Sequence, residues 1–148
     1  MLTSPDFKEL LSLFAARKVR FLVVGGYAVM KYTEPRFTKD LDLWIAVDQA
    51  NAAAVFAALK EFGAPLTGLT PEDFRQEGQI YQMGRAPLRV DILMSVDGVK
   101  FDEAWARRVE TTIGGVKVPF VAKADLILSK RAAGRAQDLI DLENLEQT

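Results

Sequence analysis

Phe21-Leu22-Val23-Val24-Gly25-Gly26-Tyr27-Ala28, followed on the next apolar run by Asp40-Leu41-Asp42-Leu43-Trp44-Ile45-Ala46-Val47, is the stretch on which the fold turns. Arg20 to Val24 reads as a short buried strand. Gly25-Gly26 reads as a tight turn at its end, and Tyr27 to Tyr32 as a short helix that Glu34-Pro35 breaks. Asp40 to Val47 reads as the next strand. Side chains alternate across a strand, so Leu41, Leu43, Ile45 and Val47 share one face, and Asp40, Asp42, Trp44 and Ala46 share the other. One face is wholly apolar and the other becomes apolar after two residues, the pattern of a strand covered on both sides.

Two features of this stretch carry chemistry. A glycine pair between strand and helix lets backbone N–H groups turn toward an anion at a helix N-terminus. It equally serves as a plain turn that needs positive φ. Asp40 and Asp42 point the same way, and two like charges about 4 Å apart repel by about 4 kcal/mol at an effective dielectric near 20. A hard divalent cation between them, Mg²⁺ or Mn²⁺, removes that repulsion. A solvent-exposed strand end is the other way to tolerate it.

Outward from this stretch the pattern stays mixed. Ser4-Pro5-Asp6 starts a helix, with Ser4 as cap and Phe7, Leu10, Leu11 and Phe14 at helical spacing. Asp48 caps a helix from Gln49 to Phe62 that stops at Gly63, and one helical turn follows Thr70-Pro71. Ile80 to Met83 and Leu88 to Met94 read as paired strands joined around Gly84 to Pro87. Phe101 to Arg108 reads as a short helix. Val109 to Ile113 and Val116 to Val121 form a hairpin across Gly114-Gly115. Helices over Ala122 to Ala133 and Arg135 to Leu145 close the chain, the last with Leu139, Leu142 and Leu145 at helical spacing. The expected fold class is α+β (mixed α/β): a mixed β-sheet with helices packed on it, in one domain spanning residues 1–148.

Asp91 stands alone in the apolar strand Leu88-Arg89-Val90-Asp91-Ile92-Leu93. A carboxylate there needs a partner or a metal. Arg89, two residues away on the same face, fits the first role.

Composition narrows the chemistry further. The 148 residues contain no cysteine and no histidine, so thiolate and imidazole metal sites, cysteine nucleophiles and Ser-His-Asp triads are excluded. Carboxylates, Lys, Arg, hydroxyls and backbone amides remain. A net charge of −1 provides no global field for nucleic acid. No signal core or membrane span is legible, and a cytoplasmic protein is the expectation.

The ordered set Val24-Gly25-Gly26, Asp40-Leu41-Asp42 and Asp91 resembles the nucleotidyltransferase superfamily that includes DNA polymerase beta. Gly25-Gly26-Tyr27-Ala28 with Arg36-Phe37-Thr38-Lys39-Asp40-Leu41-Asp42, Lys123-Ala124-Asp125-Leu126-Ile127, Ser129 to Arg135 and Asp138-Leu139-Ile140-Asp141-Leu142 look like the small bacterial branch related to AbiEii-type toxins. Members of that branch often carry a histidine in the helix after the glycines, where this chain has Met30-Lys31-Tyr32.

The resemblance implies a nucleotidyltransferase fold and transfer of a nucleoside monophosphate from an NTP to an acceptor hydroxyl. Asp40, Asp42 and Asp91 are then the catalytic and metal-binding acids, for Mg²⁺ or Mn²⁺. Gly25, Gly26, Arg36, Thr38 and Lys130 are the nucleotide-binding candidates. Lys130 is equally readable as a solvated lysine, and Arg36 as an ion-pair partner of the acids. Lys123, Arg135 and Asp138 are supporting candidates, with Arg135 and Asp138 spaced to pair with each other. The toxin-like blocks favour tRNA as acceptor. A tyrosine or serine of a partner toxin or antitoxin protein and a small molecule are the other acceptors. A non-catalytic antitoxin or dimerisation module of the same fold is the rival class, and a metal-dependent phosphohydrolase a third.

Overall fold

The computed structural model describes residues 5–35, 40–85 and 88–148. Ser4, Arg36, Thr38 and the tip of the Gly84 to Pro87 connection therefore lie outside the described residues.

Helix α1 (Pro5–Ala16) buries Phe7, Leu10, Leu11 and Phe14, the face its spacing predicts. Strand β1 (Phe21–Val24) is buried throughout. It runs directly into α2 (Gly25–Tyr32), so the glycines are the first two residues of the helix and form no separate turn. Gly25 enters the helix at φ +68°, a conformation that costs an L side chain about 1–2 kcal/mol.

Strand β2 (Asp40–Ile45) ends two residues earlier than the alternation suggests. The chain must turn there because Asp48 caps α3 (Gln49–Phe62), its side chain accepting from the Asn51 N–H at 2.9 Å. Buried Asn51 ties this corner to β1: its side-chain amide donates to the Arg20 and Ala46 carbonyls, and its Oδ1 accepts from the Arg20 N–H. A 3₁₀ turn (Pro71–Arg75), capped by Thr70 and Asp73, precedes β3 (Ile80–Arg85) and β4 (Leu88–Leu93). Helix α4 (Phe101–Ala106), the hairpin β5 (Val109–Ile113) and β6 (Val116–Phe120), and helices α5 (Lys123–Ala133) and α6 (Ala136–Glu146) complete the order.

The strands form a six-stranded mixed sheet in the order β3-β4-β2-β1-β6-β5. Strand β2 lies between β1, antiparallel to it, and β4, parallel to it. The registers pair Asp42 with Val24 on one side and with Asp91 on the other, while Asp40 pairs with Arg89. All three acids therefore meet on one face, next to the start of α2. Leu41 and Leu43 on the opposite face are fully buried, and so is Trp44, so β2 is covered on both sides beyond its acidic start.

Helix α6 departs from its expected apolar face. Leu145 is buried, but Leu139 is 54% exposed and Ile140 equally so, while Asp138 and Asp141 are buried. The inward face is carboxylate because it packs around a lysine of α5, described below.

Candidate active site

Asp40, Asp42 and Asp91 each offer an oxygen, and these three oxygens lie within 4.8 Å of one another. Strand register alone places them so: the parallel β2–β4 ladder sets Asp42 beside Asp91, and period-two alternation sets Asp40 beside Asp42. Gly25 makes room for them. A Cβ at Gly25 would sit 2.0 Å from Asp42 Oδ2, so a side chain there collides with the carboxylate as well as straining the backbone. The glycine pair thus serves the second acid as much as it serves the turn, a coupling that the spacing of the two motifs does not reveal.

Arg89 binds this cluster. Its guanidinium donates to Asp40 Oδ2 at 2.7 Å, and its Nε lies 3.3 Å from Asp91 Oδ1. The sequence suggested Arg89 as a partner for Asp91; the register adds Asp40. Asp91 Oδ1 is buried and has no hydrogen-bond partner among the described residues. Asp42 is pushed up to about 7 by burial first, then by the Asp91 and Asp40 charges, against the opposing pull of Lys130 and Arg89. A buried acceptor that makes no hydrogen bond, only an ion pair with Arg89, inside an all-oxygen acidic cluster fits a hard divalent cation.

A cleft of about 370 Å³ opens beside Asp42. Gly25, Lys130, Arg135 and Asp138 also line it, together with Ser95, Val96 and Ser129. Lys130 is not a solvated lysine: its side chain is 11% exposed and its Nζ lies 3.1 Å from Asp138 and 3.2 Å from Asp141. Arg135 caps the same group, its Nε 2.7 Å from Asp138. The spacing of Arg135 and Asp138 is thereby realised as a structural pair. Burial pushes the Asp138 carboxyl up, but hydrogen bonds from Arg135 and Lys130 outweigh it and hold the group below the usual carboxylate range.

The other candidates are placed differently. Gly26 is buried within α2. Lys123, on the first turn of α5, donates to Thr148 and is not among the residues lining the cleft. Asp141 was not singled out as a site residue, although it is fully buried against Lys130. Its signal was available: Asp138 and Asp141 are three apart on one helix, so both can face a single cation. Asp125 is a further buried acid, on α5. It is 1% exposed and takes two hydrogen bonds from Arg107, which anchor the start of α5.

A glycine-led helix beside a strand-borne Asp-x-Asp, with a third Asp on the neighbouring parallel strand, defines a nucleotidyltransferase fold. Residues 6–147 match the family described as "Nucleotidyltransferase of unknown function (DUF6036)", and the chain belongs to it. It is therefore a nucleotidyltransferase. The fold is similar to that of the lincosamide antibiotic adenylyltransferase LnuA, solved with lincomycin bound. That match has 18% identity and a TM-score of 0.59, and covers 97% of this chain and 96% of that one. No curated protein matches the sequence. Among the described residues, no helix is long and apolar enough to cross a membrane.

Proposed function

We propose that residues 1–148 form one nucleotidyltransferase domain that moves a nucleoside monophosphate from an NTP to an acceptor hydroxyl. The reading places the reaction in the cytoplasm, where NTP and Mg²⁺ are available. The observation that carries it is the acid cluster: three carboxylates, each with an oxygen within 4.8 Å of the others, beside a cleft that a lysine and a helix N-terminus line.

Asp40, Asp42 and Asp91 hold Mg²⁺ or Mn²⁺, which when bound neutralises the triphosphate and the charge that develops in the transition state. The start of α2 at Gly25 and Gly26 faces the phosphates with its N–H groups and positive dipole end. Lys130, fixed by Asp138 and Asp141, contributes a point charge at the other wall of the cleft. Arg36 and Thr38, immediately before the Asp40 strand, are further nucleotide contacts in this reading. Lys123 and Arg135 act through α5 and α6, by positioning. In the transfer, the acceptor oxygen bonds to the α-phosphorus and the α–β phosphoanhydride breaks. Pyrophosphate leaves with the bonding electrons, and the hydroxyl proton passes toward Asp91.

The test is incubation with α-³²P-labelled NTPs and Mg²⁺, separately with total tRNA, with cell protein and with a panel of small hydroxyl compounds. Labelled acceptor, lost in Asp42→Asn, is the expected result. Label confined to free nucleotides would move the reading to a phosphohydrolase. Absence of both turnover and Mg²⁺-NTP thermal stabilisation would move it to a non-catalytic module. The tRNA and partner-protein acceptors that fit the toxin resemblance are separate arms of this assay.

A further inference from the structure

A second cleft, of about 610 Å³, adjoins the first, and Ser95 and Val96 line both. Asp42 is at the first cleft, and Trp44, two residues on along the same face of β2, is among the residues of the second, which continues past the strand end to Val47 and Asp48. At roughly 3.3 Å per residue, the two side chains stand about 7 Å apart along the strand.

The cleft wall is fixed and apolar. Trp44 packs edge-on against Phe101 with ring centroids 5.1 Å apart, and Phe101 stacks on Trp105 at 5.8 Å. Met94 and Val99 extend the surface. Trp44 is 1% exposed, and its indole N–H has no hydrogen-bond acceptor among the described residues.

The rim is acidic. Four carboxylates, Asp48, Glu77, Asp102 and Glu103, face two cations, Arg20 and Lys100. Arg20 is already held by Asp48 and, at 3.6 Å, by Asp102. The surplus negative charge repels a polyphosphate backbone and attracts an ammonium. A volume of this size suits a small molecule.

We propose that this second cleft is the acceptor site, and that the acceptor is a small molecule with a protonated amine, an apolar segment and the hydroxyl that receives the nucleotide. The amine meets the carboxylate rim, and the apolar segment covers Phe101 and Val99, which stand over the buried Trp44. The hydroxyl reaches past Ser95 and Val96 to the acids. This inference rests on the nucleotidyl-transfer reading but is tested without it.

The experiment is calorimetric binding to the intact protein, with neither NTP nor metal present. Kanamycin and lincomycin serve as cationic polyhydroxyl probes, and their N-acetylated or neutral counterparts as controls. At least one cationic probe should bind saturably, with affinity that falls as salt rises and at least tenfold loss for its neutral counterpart. The exposed-rim double variant Glu77→Gln/Glu103→Gln should weaken it about tenfold with unchanged melting temperature. Phe101→Leu removes the aromatic ring that faces the cleft, and should weaken it severalfold. Three results overturn the proposal: no cationic probe binds at millimolar concentration, neutral and cationic forms bind alike, or saturable tRNA binding displaces the probe. Loss of Mg²⁺-NTP stabilisation with probe binding intact would instead count against nucleotidyl transfer alone.

Discussion

The chain contains two carboxylate clusters, one on each side of the same cleft, and they are wired oppositely. On the sheet, Arg89 pairs with Asp40 and Asp91, and burial, then the Asp91 and Asp40 charges, pushes Asp42 up to about 7. Between α5 and α6, Asp138 and Asp141 share Lys130, Arg135 adds a second positive charge, and Asp138 is held below its ordinary range. The second cluster is neutralised by its own protein and stabilises the helix pair. In the first, Asp42 has no ion pair among the described residues and sits partly buried beside two like charges. Acid content alone does not distinguish the two clusters; the surroundings of each carboxylate do.

The largest break in that comparison comes from Asp42→Asn. It should lower nucleotidyl transfer on the order of 10³-fold or more, since a metal site supplies several kcal/mol of transition-state stabilisation. The fold should persist, as monitored by circular dichroism, because the substitution also removes a repulsion.

Next in size is Lys130→Met. Two buried carboxylates lose their shared cation, and breaking such a group by removing one partner costs about 3–5 kcal/mol. Urea melts should show this loss. An unchanged midpoint would place Lys130 outside the structural network.

The pH dependence follows from the two opposite shifts. Asp42 ionises near 3.8 when unfolded and about 7 when folded, so the folded state binds the proton more tightly. Its contribution to metal-free stability therefore falls as pH rises from about 4 to 7 and is level above, by on the order of 2–4 kcal/mol. Asp138 has the opposite sign: its contribution is present above its unfolded value and is lost as pH falls through the lowered folded one. Thermal melts in chelator between pH 5 and 8 should slope downward for the wild type and flatten in Asp42→Asn. Saturating Mg²⁺ should remove the slope as well.

The smallest expected effect is that of Gly25→Ala, about 1–3 kcal/mol from positive φ and crowding of Asp42. A loss of Mn²⁺ affinity larger than the stability loss, measured by titration, would sharpen the link between this glycine and the acid cluster.

Much of this was legible in the chain itself, for identifiable reasons. The alternation Asp40-Leu41-Asp42-Leu43 decides that two carboxylates share a face, because a strand permits no other arrangement. The Phe7-Leu10-Leu11-Phe14 and Asp48-to-Gly63 patterns decide α1 and α3 for equally local reasons. Errors arose where a long-range contact overrode the local pattern. Helix α6 buries Asp138 and Asp141 and leaves Leu139 outside, because Lys130 on a different helix needs its carboxylates. Strand β2 stops before Val47 because Asn51 and Asp48 tie the corner back to Arg20. The second cleft had no sequence signal at all, since its wall joins Trp44 and Met94 to Phe101 from three separate segments.

By itself, then, the sequence determined the chemistry on offer: no thiol, no imidazole, and acids at period-two spacing beside a glycine pair. Only the tertiary structure decided which acids meet and how they are balanced. Strand order and register set Asp91 against Asp42, and helix packing gave Lys130 to Asp138 and Asp141. Residue type and local periodicity are properties of neighbours along the chain. Charge balance is a property of neighbours in space, and folding alone assigns those.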